Sequence, residues 1–187
     1  MKEFNYNFDY KNTMFMPNDK RYRIGRGEQG VLLVLTYTND ICIHWRFKTP
    51  EEALILASII EKETGLKSER RVISSVFINR LKKGMPLQTD PTVIYGITMG
   101  RKTLGRGLRR SELRKDTPWN TYLRGGLPLT PIANPGEESI VAALNPENTD
   151  FIFFVADGTG GHSFATNLAD HNKNVSKWRA IEKNSKD

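Results

Sequence analysis

Apolar positions first gather into a helical pattern between Thr49 and Gly65. At about 100° per residue, Leu54, Ala57 and Glu61 share one stripe, while Ile55, Leu56, Ile59 and Ile60 cover much of the remaining circumference. Such a helix is buried on nearly every side. Pro50 suits its first position, Thr49 and Glu52 stand in capping-box spacing, and Gly65 reads as a left-handed stop. A second helix reads from a Ser68 cap through Val72, Ile73, Val76, Phe77 and Leu81 to Gly84, with Arg70, Arg71, Arg80 and Lys82 on its other side. A third starts at Thr89-Asp90-Pro91 and a short one follows Ser111. Another opens at Asn134-Pro135, runs through Ile140, Val141 and Ala143, and ends before Pro146. Next come an apolar strand, Phe151 to Val155, a glycine turn at Gly158 to Gly161, and a return strand, His162 to Ala165. The last helix spans about Leu168 to Glu182, with Val175, Trp178 and Ile181 on its inner face.

Before Thr49 the pattern is different. Residues 1–20 carry Asn, Tyr, Phe and Lys without helical period, and residues 31–47 carry Val31, Val34, Thr36, Tyr37, Ile41, Ile43 and Trp45. This reads as a flexible lead-in and then a β-hairpin turning near Asn39-Asp40. The expected organisation is an N-terminal extension over residues 1–48 and an α+β domain over 49–187, mainly helical with a small antiparallel β element.

Composition narrows the chemistry. The 187 residues are 38% hydrophobic, enough for one domain plus an extension. A net charge of +7 raises the question of nucleic acid, yet the only dense basic stretch lies between Arg101 and Lys115, and no recognition motif accompanies it. No nucleic-acid partner is expected. Acidic polymers, including carboxylate-bearing glycans, or anionic lipid headgroups fit such a surface as well. Cys42 is the single cysteine, which excludes an internal disulfide, and His44, His162 and His171 lack metal-ligand spacing. Neither a metal nor a cofactor is expected. Gly25-Arg26-Gly27-Glu28-Gln29-Gly30 spells a dinucleotide fingerprint, but a strand-like run follows where a helix is needed. The longest apolar run, Val31 to Leu35, is far too short to span a membrane and no secretory signal pattern opens the chain, so a soluble chain is expected.

The best candidate for chemistry is Glu61. Apolar neighbours and the negative end of the helix dipole both disfavour its ionised form, which suits a proton donor. Glu63 lies two positions on and points to nearly the opposite side, so the two cannot line one cleft. Polar residues near turns supply candidate substrate contacts: Gln88, Thr89, Asp90, Tyr95, Asn120, Tyr122, Asn134, His162 and Asn167. Aromatic faces beside amides suit a sugar, with its apolar C–H faces and rim of hydroxyls.

Longer blocks carry a resemblance. Ala57-Ser58-Ile59-Ile60-Glu61-Lys62-Glu63-Thr64, Val76-Phe77-Ile78-Asn79-Arg80-Leu81 and Gly84-Met85-Pro86-Leu87-Gln88-Thr89-Asp90-Pro91-Thr92-Val93-Ile94-Tyr95-Gly96 closely resemble the endolytic murein transglycosylase, or YceG-like, family. The match continues through Asn120-Thr121-Tyr122, Pro131-Ile132-Ala133-Asn134-Pro135-Gly136, Gly160-Gly161-His162-Ser163-Phe164 and His171-Asn172. The resemblance implies cleavage of peptidoglycan glycan strands between N-acetylmuramic acid and N-acetylglucosamine, with 1,6-anhydromuramic ends as product. It implies Glu61 as the catalytic glutamate, with its pKa raised to about 6 or above. It further implies a cell-envelope location, periplasmic or on the outer face of the inner membrane, a membrane anchor and cell-wall synthases as partners. Departures lie in the N-terminal quarter and at Trp119 and Leu129. They keep open a second expectation, a peptidoglycan-binding module with impaired catalysis.

Overall fold

The computed structural model describes residues 13–15, 22–26, 32–36, 47 and 49–184. The chain divides into two units, Met1–Pro50 and Glu51–Asp187. In the first, β1 (Thr13–Phe15), β2 (Tyr22–Arg26) and β3 (Leu32–Thr36) form an antiparallel sheet in the order β1-β2-β3. Thr13 pairs with Gly25, and Tyr22 pairs with Thr36. β1 lies within the stretch read as a lead-in, residues 1–20, of which only 13–15 are described. Three residues are too few to show a period of two, and the ladder to β2 is what makes them a strand. The turn expected near Asn39-Asp40 lies outside the described residues. Gly25 and Arg26 of the glycine fingerprint sit inside β2, and the next described element is β3.

The second unit is an α+β arrangement of six helices and one hairpin: α1 (Pro50–Glu63), α2 (Arg70–Lys82), α3 (Asp90–Thr98), α4 (Arg110–Leu113), α5 (Glu137–Leu144), β4 (Phe153–Ala156), β5 (His162–Ala165) and α6 (Leu168–Asn184). Its core is built on α1 and α2. Leu56, Ala57, Ile59 and Ile60 of α1 and Ile73 and Val76 of α2 have no accessible surface, as their apolar clustering predicts. Ile140 and Ala143 of α5 join them. Phe77 meets Phe154 edge to face at 5.7 Å, seating the hairpin on α2, and α6 covers the hairpin.

Several helix ends differ from expectation. Gly65 is not left-handed. The chain leaves α1 through Thr64, whose hydroxyl accepts from the Leu66 N–H at 3.0 Å. A 3-10 turn, Lys67–Glu69, precedes α2, so Ser68 is no cap. Gly84 does take a positive φ of 67° and stops α2 as expected. α5 starts at Glu137 with Gly136 as its cap position, which moves the start beyond Asn134. Ile181, expected on the inner face of α6, stays largely exposed, although it lies close over the tight Gly158 turn.

Candidate active site

The C-terminal turn of α1 presents its two carboxylates in different settings. Glu61 reaches the start of α5, where its Oε2 accepts from the Gly136 N–H (3.1 Å) and the Ser139 hydroxyl (2.7 Å). Arg70 Nη2 stands 3.7 Å from its other oxygen. Burial pushes the Glu61 carboxyl up, but the Ser139 and Gly136 hydrogen bonds together with Arg70 outweigh it, so its pKa lies below the ordinary value. This contradicts the expected elevation. Glu61 is an ionised cap for α5, supplied by a residue far away in the sequence.

Glu63 is placed otherwise. It keeps part of its surface open, but its carboxyl is deep enough for burial to dominate its titration. The Thr89 hydroxyl donates to its Oε1. Burial and then the neighbouring Asp90 charge push its pKa up to about 7, against the opposing pull of Thr89 and of His162. Asp90, the first residue of α3, accepts from the Tyr122 hydroxyl at 2.6 Å. Burial and that bond push the Tyr122 phenol pKa upward, so it stays protonated.

Backbone order fixes this cluster. Gln88 has a φ of 50°, unusual for a residue with a side chain, and its N–H donates to the Thr121 carbonyl at 3.1 Å. Thr89 N–H donates to the Thr121 hydroxyl at 3.2 Å, which also pairs with the Thr92 hydroxyl at 2.8 Å. The Gln88-Thr89 dipeptide before α3 is thereby fastened to Thr121. Arg80, expected on an outer face, is buried instead. It donates to the carbonyls of Ile152 (2.6 Å), Pro86 (3.2 Å) and Leu87 (3.0 Å) and lies over the Phe153 ring. Its Nη1 is 3.5 Å from Gln88 Oε1.

The other sequence candidates separate. His162, on β5, gives its N–H to Glu69 Oε1 (2.8 Å), and its Nδ1 lies 2.7 Å from Glu69 Oε2. Gly161 leaves room for that carboxylate, because a Cβ there would be 2.8 Å from Glu69 Oε1. Asn120 is fully buried, and its amide serves the fold: Nδ2 donates to Leu113 and Lys115 carbonyls, and Oδ1 accepts from the Tyr122 N–H. Asn167 caps α6, accepting from the Asp170 N–H at 2.9 Å. Both amides are thus engaged within the fold, Asn120 buried and Asn167 exposed at the start of α6. Tyr95 packs edge to face on Trp119 at 5.5 Å, and Asn134 is exposed. The structure thus joins Thr89, Asp90 and Tyr122 with Glu63, sets Gln88 beside them, and leaves Glu61 in a separate network. Sequence reasoning set Glu63 aside in favour of Glu61, placed Arg80 on an outer side and did not single out Glu69. The raised value at Glu63 had a signal in Glu-x-Glu at a helix end, but not one that told the two apart.

Fold and site define an α+β domain whose polar residues converge on a protonatable carboxyl at the end of a buried helix. The chain belongs to the YceG-like family, whose profile matches residues 28–177. It is 47% identical over 140 residues to the endolytic murein transglycosylase of Bacillus subtilis (strain 168), covering 75% of this chain and 36% of that protein. Identity to the endolytic murein transglycosylase of Streptococcus pneumoniae serotype 2 (strain D39 / NCTC 7466) is 34% over 135 residues, 69% of this chain and 24% of that one. The 2.6 Å crystal structure of a protein described as yceG-like from Listeria monocytogenes aligns with a TM-score of 0.62 at 43% identity, covering 66% of this chain and 39% of that chain. The chain spans well under half the length of each of these relatives.

Proposed function

We propose that this domain is a peptidoglycan lytic transglycosylase in which Glu63, rather than Glu61, is the acid and then the base. The observation that carries this reading is the Glu63 carboxyl, buried against the Thr89 hydroxyl beside Asp90 and within the electrostatic reach of His162. Protonated, Glu63 gives its hydrogen to the bridging oxygen between N-acetylmuramic acid and N-acetylglucosamine as that bond breaks. The carboxylate left behind takes the proton of the muramic C6 hydroxyl, whose oxygen bonds to the anomeric carbon of the same sugar. The products are a 1,6-anhydro end and a free N-acetylglucosamine hydroxyl, and water is not consumed. Because the nucleophile is tethered within the sugar, a second carboxylate in the nucleophile's position is unnecessary. Asp90, at the start of α3 and hydrogen-bonded by Tyr122, is suited to stabilise the positive charge that develops at the anomeric carbon. The names of the relatives support the substrate. The same reading places the domain in the cell envelope beside cell-wall synthases. No described helix is long and apolar enough to cross a membrane.

Mass spectrometry of digested sacculi separates the two glutamates. Glu63→Gln keeps the oxygen that Thr89 donates to and removes the acidic proton, so anhydro-muropeptide release is expected to fall by about 100- to 10,000-fold. Glu61→Gln keeps acceptors for Ser139 and Gly136 and is expected to retain most of the rate. The reverse ranking would return the acid role to Glu61. Binding of sacculi without any release by the parent chain would instead identify a binding module.

A further inference from the structure

Nearly all the net charge of the chain resides in one loop. Residues 101–115 hold five arginines and two lysines against Glu112 alone, a net of +6 out of the chain's +7. All seven cations are exposed. The nearby acids are already engaged: Glu112 accepts from both Nη atoms of Arg106 (2.9 and 2.6 Å) and from the Arg109 N–H (2.7 Å), and Asp116 accepts from Arg124. Arg101, Lys102, Arg110, Arg114 and Lys115 have no ion pair among the described residues.

This loop is fastened to the candidate site. It leaves the end of α3 and returns at Thr117, whose hydroxyl packs so closely on Gly96 that a Cβ there would lie 2.6 Å away. At its far side Asn120 holds the Leu113 and Lys115 carbonyls with its amide nitrogen and the Tyr122 N–H with its amide oxygen. One buried side chain therefore ties the loop backbone at Leu113 and Lys115, next to Arg114, to that of Tyr122. The two ends of α3, Asp90 by Glu63 and Thr98 by the loop, stand about 12 Å apart at a rise of about 1.5 Å per residue.

We propose that the 101–115 loop recognises the carboxylates of the peptide stems carried by muramic acid, so that the domain selects glycan strands with acidic stems. This rests on the transglycosylase reading and names the part of the substrate that the loop takes. An extended peptide of four residues reaches roughly 13 Å, enough to span α3. Arginine, the dominant cation, offers a planar fork that matches a carboxylate through two parallel hydrogen bonds. Stems recur along a strand, which suits several separate cations better than one deep site. A phosphate-rich polymer or an anionic lipid surface would meet the same charges, but neither accounts for the tie through Asn120 to Tyr122.

The test compares the full chain with the triple variant Arg110→Gln, Arg114→Gln, Lys115→Gln on strands bearing stems and on strands stripped of them by an amidase. On stem-bearing strands at low salt KM is expected to rise about three- to thirtyfold with kcat unchanged, and on stripped strands neither constant moves. At about 0.5 M salt the difference between parent and variant should disappear. Equal losses on both strand types would overturn the proposal. So would an unchanged KM with lost retention on phosphatidylglycerol vesicles or on polyphosphate. If the parent cleaves neither strand, the catalytic reading fails by itself, and retention on the immobilised chain then decides the loop. A preference for stem-bearing strands that the triple variant loses supports the proposal, and equal retention overturns it.

Discussion

Glu61 and Glu63 stand two residues apart on one helix and titrate in opposite directions. Their local surroundings, an apolar helix ending at its negative pole, act on both alike. The difference comes from what the fold brings to each: the Ser139 hydroxyl, the Gly136 N–H and the Arg70 guanidinium at Glu61, and deep burial beside the Asp90 charge at Glu63, where Thr89 also donates. The Glu63 shift carries a consequence for stability. A carboxyl whose folded pKa is raised to about 7 from 4.5 binds its proton more tightly in the folded chain than in the unfolded one. Its stabilisation is complete below the unfolded value and is lost as pH rises through about 7. Between about pH 5 and pH 8 the parent is expected to lose up to about 3 kcal/mol from this group. Glu63→Gln should remove that component, so its melting temperature falls less over the same range. Parallel slopes for parent and variant would show that Glu63 ionises normally. The helix end was legible in the sequence, since its apolar run marks α1 unambiguously, but the choice of glutamate was not. A hydrogen bond from residue 139 to residue 61 leaves no trace in local spacing.

At the level of elements, α5 depends on a cap that it does not encode. Its cap position is a glycine without a side-chain acceptor, and the Glu61 carboxylate of α1 accepts from the Gly136 N–H and the Ser139 hydroxyl at the positive end of the helix. This explains why Asn134, a good cap by type, begins no helix: the chain turns through Pro135 and Gly136 to bring the helix start against Glu61. Glu61→Ala is expected to cost about 1–3 kcal/mol, lowering the melting temperature by roughly 3–10 °C near neutral pH. Because the folded pKa of Glu61 is depressed, its contribution is present above the ordinary carboxyl value and fades as pH falls through the folded one. Melting curves of parent and Glu61→Ala should therefore converge in acid and separate at neutrality. A constant gap at every pH would assign the loss to packing. Elements with strong internal signals matched their expected places, as β5 does at His162–Ala165 and α3 at its Asp90-Pro91 start. Those held by partners elsewhere, such as β1 and the start of α5, did not.

At the scale of the folded unit, the proposed site draws on the end of α1, residues 88–90, residues 120–122 and β5, and a single buried cation braces much of it. Periodicity assigned Arg80 to the outer face of α2 beside Lys82, because an arginine in a helix is ordinarily solvated. Instead its guanidinium fills a niche among backbone carbonyls that other segments leave without partners, two just before Gln88 and one at the entrance to β4. Burial lowers its pKa, yet arginine remains charged, so each carbonyl receives a charge-assisted donor. Lysine in that place would carry the charge on one nitrogen and could not span the same directions. Arg80→Lys is expected to cost about 2–4 kcal/mol in stability, as for a buried charge stripped of partners. If the brace also aligns Gln88, Thr89 and Asp90 with Glu63, a shift of about 1 Å there should lower single-turnover cleavage roughly 100-fold even at temperatures where the variant stays folded. Calorimetry and single-turnover assays at about 15 °C read the two effects independently. A lower melting temperature with cleavage at the parent rate would confine Arg80 to holding α2 against the hairpin. Loss of both, with rate restored in neither low nor high salt, would place the alignment of the acid's neighbours under the control of a residue that never meets the substrate.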